Sequence, residues 1–376
     1  MANIVDYVKK QFNDLDTLPF NPVDSLVLSQ FAYIRFDEIF KNKKEDQKLY
    51  AKDMLRADLF DKLLKGVWAP KENNELLYSI AANPRFREIE MVHYVNKLDH
   101  LAEKQFSAVT YFLPDNIIYI AFRGTDSSII GWKEDFNMSF AMPVPSQDEA
   151  LAYLNMIAEK YEGKIMVGGH SKGGNLAVYA SMFTSDEIKK RLIAIYSHDG
   201  PGFQKEVFEG DKYQSIAPLI KKTIPQSSMI GMLLEYQDNH AIVKSKGFWF
   251  MQHDPFLWEV NETDFIYQTR LTNGAIYTNK TINQWLMSAT IEERELFIDT
   301  LYQVIKSTNA QTLGELGENI IQDGKNILAA IKDVDDKTKK FVVQTLMDLA
   351  ALSFKNLLPN RKNKGDEDET EDIDDN

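Results

Sequence analysis

The sequence predicts an α/β protein with a mostly parallel central sheet, and the order of its apolar patterns carries this prediction. Residues 106–122 hold two short runs of β-branched and aromatic residues, separated by a proline-led turn. An amphipathic helical pattern at 146–163 leads into a short apolar run at 164–169 and a second helical pattern at 175–183. Another strand-like run follows at 191–197. This alternation is typical of strands joined by crossover helices.

The remaining patterns suggest four regions along the chain. Residues 1–105 are predicted to form a helical N-terminal cover, because their apolar residues recur at helical spacing. Residues 106–280 would hold the α/β core. Residues 281–362 again show helical periodicity and predict a helical C-terminal extension. The last segment, 363–376, is strongly acidic and too poor in apolar residues to fold, so we expect a disordered tail.

Composition and charge disfavour several classes of partner. The chain has 376 residues and is 44% hydrophobic, which is enough to bury a large core. Its formal net charge is −13, and eight carboxylates lie within residues 366–376. Without a basic patch, neither nucleic acid nor an anionic lipid head group is expected as the primary ligand. The absence of cysteine excludes disulfides, thiol nucleophiles and thiolate metal sites.

Two further observations lead us to expect a cytoplasmic protein. The first twelve residues lack the continuous apolar run of a signal peptide. No uncharged apolar run approaches the roughly 18 to 20 residues of a transmembrane helix. Transient contact of the C-terminal helices with a membrane surface or a partner remains an open alternative to packing on the body.

A nucleophile motif lies at the junction of the third predicted strand and its following helix. The segment Gly169-His170-Ser171-Lys172-Gly173 matches G-x-S-x-G, in which a sharp strand-to-helix turn holds the serine strained and exposed. The alternatives are an idle serine in a glycine-rich turn and a phosphate site at a helix N-terminus. A phosphate loop would place Ser or Thr after the lysine, and this chain does not. The pattern therefore predicts an α/β-hydrolase fold with Ser171 as nucleophile.

A serine hydroxyl needs an imidazole to take its proton. Of the six histidines, His93 and His100 precede the predicted sheet, His170 adjoins the nucleophile and His198 adjoins a candidate acid. His240 and His253 remain, both downstream of the nucleophile as the chain order typical of α/β-hydrolases requires. Residues 241–260 suggest two strands joined around Lys246 and Gly247, and His253 follows the second of them. His253 is therefore favoured as the base, with His240 as the alternative.

The acid that orients the imidazole should follow a strand of the same sheet. Asp199 meets this requirement, because it comes directly after the strand-like run 191–197 and the histidine beside it. Asp238 is a rival, and Asp254 is disfavoured because it adjoins His253 and neighbouring residues in extended chain point to opposite faces. The structural alternative for Asp199 is a turn residue that bonds its own backbone.

Acyl transfer also needs donors for the developing oxyanion, commonly two main-chain N–H groups. The N–H of Lys172, next to the nucleophile, is one candidate. The loop at 122–125 ends an earlier strand in a suitable place for the second, although an ordinary strand-end turn would look the same. The apolar run at 227–236 is predicted to be a core helix rather than an acyl pocket or lid.

The residues quoted above resemble a known family. IAFRGTDSSIIGWKEDF and GGHSKGGNLAVYAS are similar to the oxyanion and nucleophile segments of fungal-type (class 3) lipases, and the resemblance implies that Thr125 supplies an oxyanion N–H. DGPGF resembles the acid-bearing turn of pancreatic-type lipases, which implies Asp199. Over residues 1–260 the chain is similar to a bacterial family of lipase-like hydrolases. It departs from class 3 lipases at Thr223–Pro225, where their acid-bearing turn would have aspartate.

We therefore expect a serine hydrolase acting on a carboxylic ester, with a small-molecule or lipid ester as substrate. Ser171 would attack, His253 would move the proton and Asp199 would orient the imidazole, while the N–H groups of Thr125 and Lys172 would hold the oxyanion. No metal or organic cofactor is implied. Arg123 would brace the loop after the oxyanion strand together with Trp132, Lys133 and Asp135. The alternative is a non-enzymatic scaffold that binds partners through its helical C-terminus and acidic tail.

Overall fold

The computed structural model describes residues 2–276, apart from 45–46, 100–103, 126–137, 139–141, 235–238 and 248, together with scattered positions between 279 and 343. The acidic tail lies outside the described residues, and so does the predicted helical extension at 281–362 except at those scattered positions. Trp132, Lys133, Asp135 and Asp238 also lie outside them.

Within the described residues, nine strands form one mixed sheet whose spatial order follows the chain. The strands are β1 Leu49–Tyr50, β2 Glu90–Asp99, β3 Lys104–Leu113, β4 Ile117–Phe122, β5 Lys164–His170, β6 Leu192–His198, β7 Ile220–Pro225, β8 His240–Val243 and β9 Tyr267–Gln268. The predicted hairpin is confirmed, because β3 and β4 pair antiparallel from Leu113↔Ile117 to Ala108↔Phe122.

The expectation of a mostly parallel sheet is only partly right. Strands β4 to β8 are mutually parallel, whereas β1 to β4 form an antiparallel meander and β9 pairs antiparallel with β8. The connections explain part of this arrangement. The short turn between β3 and β4 can join only antiparallel neighbours, whereas helical crossovers bring β5 and β6 back parallel to β4.

Part of the predicted helical cover is a strand. Residues 90–99 form β2 and pair with β3, with a register shift between Val92 and Val95. His93 lies in that irregularity with a φ of 52°. Residues 49–50 add β1 at the edge of the sheet. Local periodicity missed these strands because β2 exists through pairing with β3, whose residues lie later in the chain.

Helices cover both faces of the sheet. They are α1 Ile4–Lys10, α2 Pro22–Phe31, α3 Asp37–Lys41, α4 Phe60–Leu63, α5 Pro70–Ala82, α6 Pro145–Lys160, α7 Lys172–Phe183, α8 Asp186–Lys189, α9 Lys205–Phe208 and α10 Asp211–Ile216. Helices α1, α2 and α5 join one buried cluster with Tyr119 and Tyr196 of the sheet. Helices α6 and α7 join a second cluster on the opposite face with Ile120 and Ile195. The sheet is thus buried between two helical layers.

Helix α2 begins where the sequence indicates. The Asn21 side chain accepts hydrogen bonds from the N–H groups of Val23 and Asp24, and Pro22 takes the first helical position. Its Ser25 hydroxyl bonds the Tyr119 hydroxyl (2.8 Å) within the sheet. This helix leads to Tyr33, which reaches the end of β5.

Two predicted elements downstream of β7 are wrong. Of the two strands expected at 241–260, the second is absent, since Trp249–His253 forms a 3-10 helix and another follows at Pro255–Leu257. The segment 227–234 forms a turn rather than the expected core helix. Both segments are held by contacts with distant residues, described below. Among the helices of the described residues, none has the length and apolar composition needed to cross a bilayer.

Candidate active site

Ser171 occupies a strained turn between β5 and α7. Its backbone has φ 58° and ψ −131°, a conformation that residues other than glycine rarely adopt. Its N–H donates to the His198 carbonyl (2.9 Å), and its own carbonyl accepts from the Gly174 N–H (2.9 Å). The strand register and the first turn of the helix therefore hold the serine in this conformation.

The glycines around Ser171 allow main chains to approach too closely for any side chain. A Cβ atom on Gly169 would overlap the main chain of Gly173, and one on Gly173 would overlap the Phe122 carbonyl oxygen. The glycine pattern thus allows α7 to begin directly against the end of β4. No other residue type fits these two positions without moving the backbone.

The loop after β4 lies on this turn. A Cβ on Gly124 would lie 3.2 Å from the Ser171 Cβ and 2.7 Å from the His170 carbonyl oxygen. Thr125 is the next residue and is half-buried. Lys172 begins α7, and its buried side chain donates from Nζ to the Gln105 carbonyl (3.0 Å). The two segments predicted to supply oxyanion donors are therefore adjacent.

Asp199 follows β6 as Ser171 follows β5, because His170 and His198 are register partners in neighbouring parallel strands. Its φ is 49°, a second strained backbone at the same edge of the sheet. The N–H of Asp199 donates to the Thr223 carbonyl (2.7 Å), which fixes the turn to β7.

The carboxylate of Asp199 is buried and fully engaged. Oδ1 accepts hydrogen bonds from the Ser228 hydroxyl and from the Gly231 N–H (3.1 Å). Oδ2 lies 2.6 Å from His253 Nδ1. A Cβ on Gly231 would overlap Oδ1, so only glycine allows this approach. The segment 227–234, predicted as a helix, instead holds this carboxylate in place.

His253 ends a 3-10 helix with its ring directed at Asp199. Its side chain keeps 23% of its accessible surface, whereas that of Asp199 keeps 1%. Because a carboxylate can only accept, the short bond places the proton on Nδ1 and leaves Nε2 free to accept one. The Asp199 carboxylate is thus shielded from water, while the His253 imidazole keeps part of its surface exposed.

His170 links the candidate base to the turn that carries Ser171. It directly precedes Ser171 in the chain, and its Nε2 lies 2.8 Å from the His253 carbonyl oxygen. The His170 and His253 ring centroids are 4.6 Å apart. The two catalytic candidates are thereby linked through one intervening side chain.

The other candidates occupy different places. His240 begins β8, and Asp254 accepts from the Phe256 N–H (2.9 Å), with its pKa raised to about 6 by burial. His198 is fully buried between the hydroxyls of Thr223 (2.7 Å) and Ser25 (2.9 Å), and burial lowers its pKa to about 3. His198 therefore stabilises the core in its neutral form.

A buried cation lies near the acid. Lys222 on β7 is register partner to Ser197, two residues before Asp199. Burial lowers the pKa of Lys222 to about 7, and the Asp199 carboxylate opposes this shift. The nearby Asp199 carboxylate therefore favours the charged form of this buried lysine.

Arg123 has contacts consistent with a bracing role. Its side chain is buried and donates from Nη2 to Asn96 Oδ1 (2.9 Å), and Asn96 in turn donates to Asp37 (2.9 Å). The guanidinium thus ties the end of β4 to β2 and α3. The other residues expected to brace this loop lie outside the described part of the chain.

Sequence reasoning missed four residues of the site, namely His170, Ser228, Gly231 and Gln252. His170 was considered only as a neighbour of the nucleophile. Its contact with His253 spans 83 residues, and that of Ser228 with Asp199 spans 29. No local pattern marks such pairs, although the x position of a G-x-S-x-G motif necessarily lies beside the nucleophile.

The chain has similarities to known lipases. The family model described as Mbeg1-like, a lipase-like family, matches residues 80–303, more than half of the chain. The predicted resemblance to lipases is thereby confirmed at the level of the family. No curated protein matches in sequence.

Three solved structures are similar to parts of the chain. Rhizomucor miehei lipase in a propeptide complex is 19% identical over 41% of this chain and 57% of its own, with a TM-score of 0.32. The lipase of Rhizopus microsporus var. chinensis is 18% identical over 54% and 73%, with a TM-score of 0.32. A fungal lipase in an inhibitor complex is 14% identical over 59% and 77%, with a TM-score of 0.35. The chain thus spans little more than half of the Rhizomucor enzyme.

Proposed function

We propose that the chain, which belongs to the Mbeg1-like family, is a serine hydrolase of the α/β-hydrolase fold that cleaves a carboxylic ester through an acyl-enzyme on Ser171. One observation carries this proposal: a buried carboxylate orients a half-buried imidazole at the edge of the sheet where a serine is held in a strained turn. Strain at such a serine persists only where the surrounding structure imposes it, and it clusters at functional sites.

In the proposed mechanism, the Ser171 Oγ attacks the ester carbonyl while His253 Nε2 takes its proton. The bond from Oγ to the carbonyl carbon forms, and the carbonyl electrons move to the oxygen. As the bond to the leaving alcohol breaks, His253 returns the proton to that alcohol. Water then repeats the sequence on the acyl-enzyme and releases the acid. Asp199 orients the imidazole and stabilises its cation throughout.

The developing oxyanion would be held by the main-chain N–H groups of Lys172 and Thr125. Lys172 begins a twelve-residue helix, whose N-terminal N–H groups favour negative charge. The packing of Gly124 against Ser171 supports a role for the residue that follows it.

A fluorophosphonate probe tests the nucleophile, because it reacts only with an activated serine. We expect the unmodified protein to be labelled and Ser171→Ala to lose labelling. Ser185→Ala is the matched control, since it removes an exposed serine hydroxyl at the start of α8 and should label normally. Asp199→Asn should slow ester hydrolysis by about 10⁴-fold while the fold is retained. Absence of labelling in the unmodified protein would refute the proposal and favour the scaffold alternative.

A lipid-like ester is the proposed substrate class, which rests on the family. A panel of p-nitrophenyl esters of increasing acyl length tests it. We expect kcat/KM to rise with acyl length for as long as each added methylene is buried on binding, because a buried methylene contributes about 0.8 kcal/mol. Equal rates at all acyl lengths would argue for a small polar ester instead.

A further inference from the structure

We propose that His170 is a positioning residue for the base: it holds the His253 main chain through a hydrogen bond and limits the orientation of the His253 ring by direct ring contact. This inference deepens the proposed function and rests on it. It assigns a role to the variable position of the G-x-S-x-G motif, which the mechanism above leaves unused.

The hydrogen bond determines the tautomer of His170. A carbonyl oxygen can only accept, so the 2.8 Å contact with the His253 carbonyl requires a proton on Nε2. Nδ1 is then an acceptor in the neutral ring, and the Tyr33 hydroxyl faces it at 3.4 Å. Tyr33 is contributed by the chain that follows α2, so the N-terminal cover helps to orient the ring.

His170 can remain neutral while His253 becomes charged. It is buried, and desolvation together with the neighbouring His253 holds the pKa of His170 well below its usual range. The rings lie 4.6 Å apart at 33°, so a second cation here would oppose the imidazolium that forms during catalysis. The titratable groups that face His170 are His253, His198 and Tyr33.

The hydrogen bond from His170 to the His253 carbonyl lies where it can position the base. His253 ends a five-residue 3-10 helix and has no regular strand to hold it. Its ring must meet Asp199 on one side and the Ser171 hydroxyl on the other. A bond from the residue adjoining the nucleophile couples the positions of base and serine directly, so that a shift of one is transmitted to the other.

Two substitutions distinguish the effect of the His170 hydrogen bond from the effect of side-chain packing at this position. His170→Phe keeps an aromatic ring but lacks the donor, whereas His170→Gln keeps an amide donor that reaches a similar distance from the main chain. We expect His170→Phe to lower kcat roughly 10- to 100-fold with KM within about twofold, because the ground state is bound as before but the base is misplaced. His170→Gln should recover part of kcat.

The matched control is His93→Phe. His93 is a half-buried histidine in the β2 irregularity, and its Nε2 bonds the Tyr161 hydroxyl (2.9 Å). Tyr161 precedes β5, whereas Ser171 follows it. The His93→Phe variant also loses a hydrogen bond made by a histidine Nε2. The kcat of this variant should remain within about twofold of that of the unmodified protein. If His170→Phe does not fold, His170→Asn, whose amide is too short to reach the carbonyl, replaces it with the same expectation.

A second readout does not depend on activity. The His253 Nδ1 proton in its 2.6 Å bond to Asp199 should give a strongly deshielded NMR signal, assigned by its loss in His253→Gln. We expect this signal to broaden or shift in His170→Phe and to persist in His170→Gln. A protein that neither labels nor hydrolyses esters would refute the proposed function, yet this signal would still decide the role of His170. An unchanged signal and an unchanged kcat in His170→Phe would overturn the inference.

Discussion

The two turns that meet at the candidate site are held in different ways. The nucleophile turn, residues 168–174, is shaped by backbone sterics: glycines that admit close main-chain contacts and one strained serine. The histidine turn, residues 245–258, is shaped by side chains that reach it from elsewhere. A local sequence motif therefore marks the nucleophile turn, whereas no local motif marks the histidine turn.

Gln252 shows how the histidine turn is held. Its Oε1 accepts from the Ser227 N–H (2.7 Å) and its Nε2 donates to the Gly247 carbonyl (2.8 Å). The Trp258 indole in turn donates to the Gln252 carbonyl (2.7 Å). These bonds clamp the residue before His253 from three directions. They replace the regular ladder that a strand would have provided.

The largest effect is expected at the nucleophile turn. Gly173→Ala would place a methyl group onto the Phe122 carbonyl oxygen, and because both are main-chain positions the sheet or the helix must move. We expect a loss of about 3 kcal/mol or more in the free energy of unfolding, measured by urea denaturation. Gly274→Ala is the control, since a Cβ there has no atom within 4 Å. Equal stability of the two variants would contradict main-chain steric control of this turn.

A smaller effect is expected at the histidine turn. Gln252→Ala removes two hydrogen bonds and leaves the Ser227 N–H without its acceptor, which should cost about 2 kcal/mol in the free energy of unfolding. Ester hydrolysis should fall more than stability alone explains, because His253 is the next residue. Gln214→Ala, at an exposed glutamine that donates to the Phe208 carbonyl, should change stability by less than about 0.5 kcal/mol. Normal ester hydrolysis by Gln252→Ala would show that the hydrogen bonds of Gln252 do not position His253.

The smallest effect depends on pH and involves Asp254. Burial raises the pKa of this carboxyl from 3.8 to about 6, so between these values the folded chain binds the proton that the unfolded chain releases. Stability from this group therefore falls as pH rises from about 4 to about 6, and the cost is complete above pH 6.

Asp254→Asn removes that cost while its side-chain oxygen can still accept from the Phe256 N–H. We expect the variant to gain stability relative to the unmodified protein on going from pH 4 to pH 8, by an amount on the order of 1 kcal/mol. Urea unfolding of both proteins at the two pH values measures this, and all other titrating groups cancel in the difference. A difference in stability that does not vary with pH would show that burial does not raise this pKa.

Secondary-structure elements that depend on neighbouring residues in the chain were predicted correctly. The β3–β4 hairpin follows from two β-branched runs and a turn, and α2 begins at its Asn21 cap. Elements that depend on distant partners were predicted poorly. Strand β2 needs β3 to pair with, and residues 249–253 form a 3-10 helix because Gln252 is tied to Ser227 and Gly247. The residue types in an apolar aromatic run do not predict which distant residues will bond to it.

The sequence by itself determined the strand, turn and helix around Ser171, because the G-x-S-x-G motif and the apolar runs on either side of it lie within a few residues of one another. It also placed Asp199 at the end of the neighbouring strand. Only the tertiary structure decided that the Asp199 carboxylate meets His253 at 2.6 Å, that Ser228 and Gly231 engage its other oxygen, and that His170 bonds the His253 main chain. These contacts join residues 29 to 83 positions apart. Their geometry depends on how the whole sheet closes at one edge, and no local property of the chain specifies it.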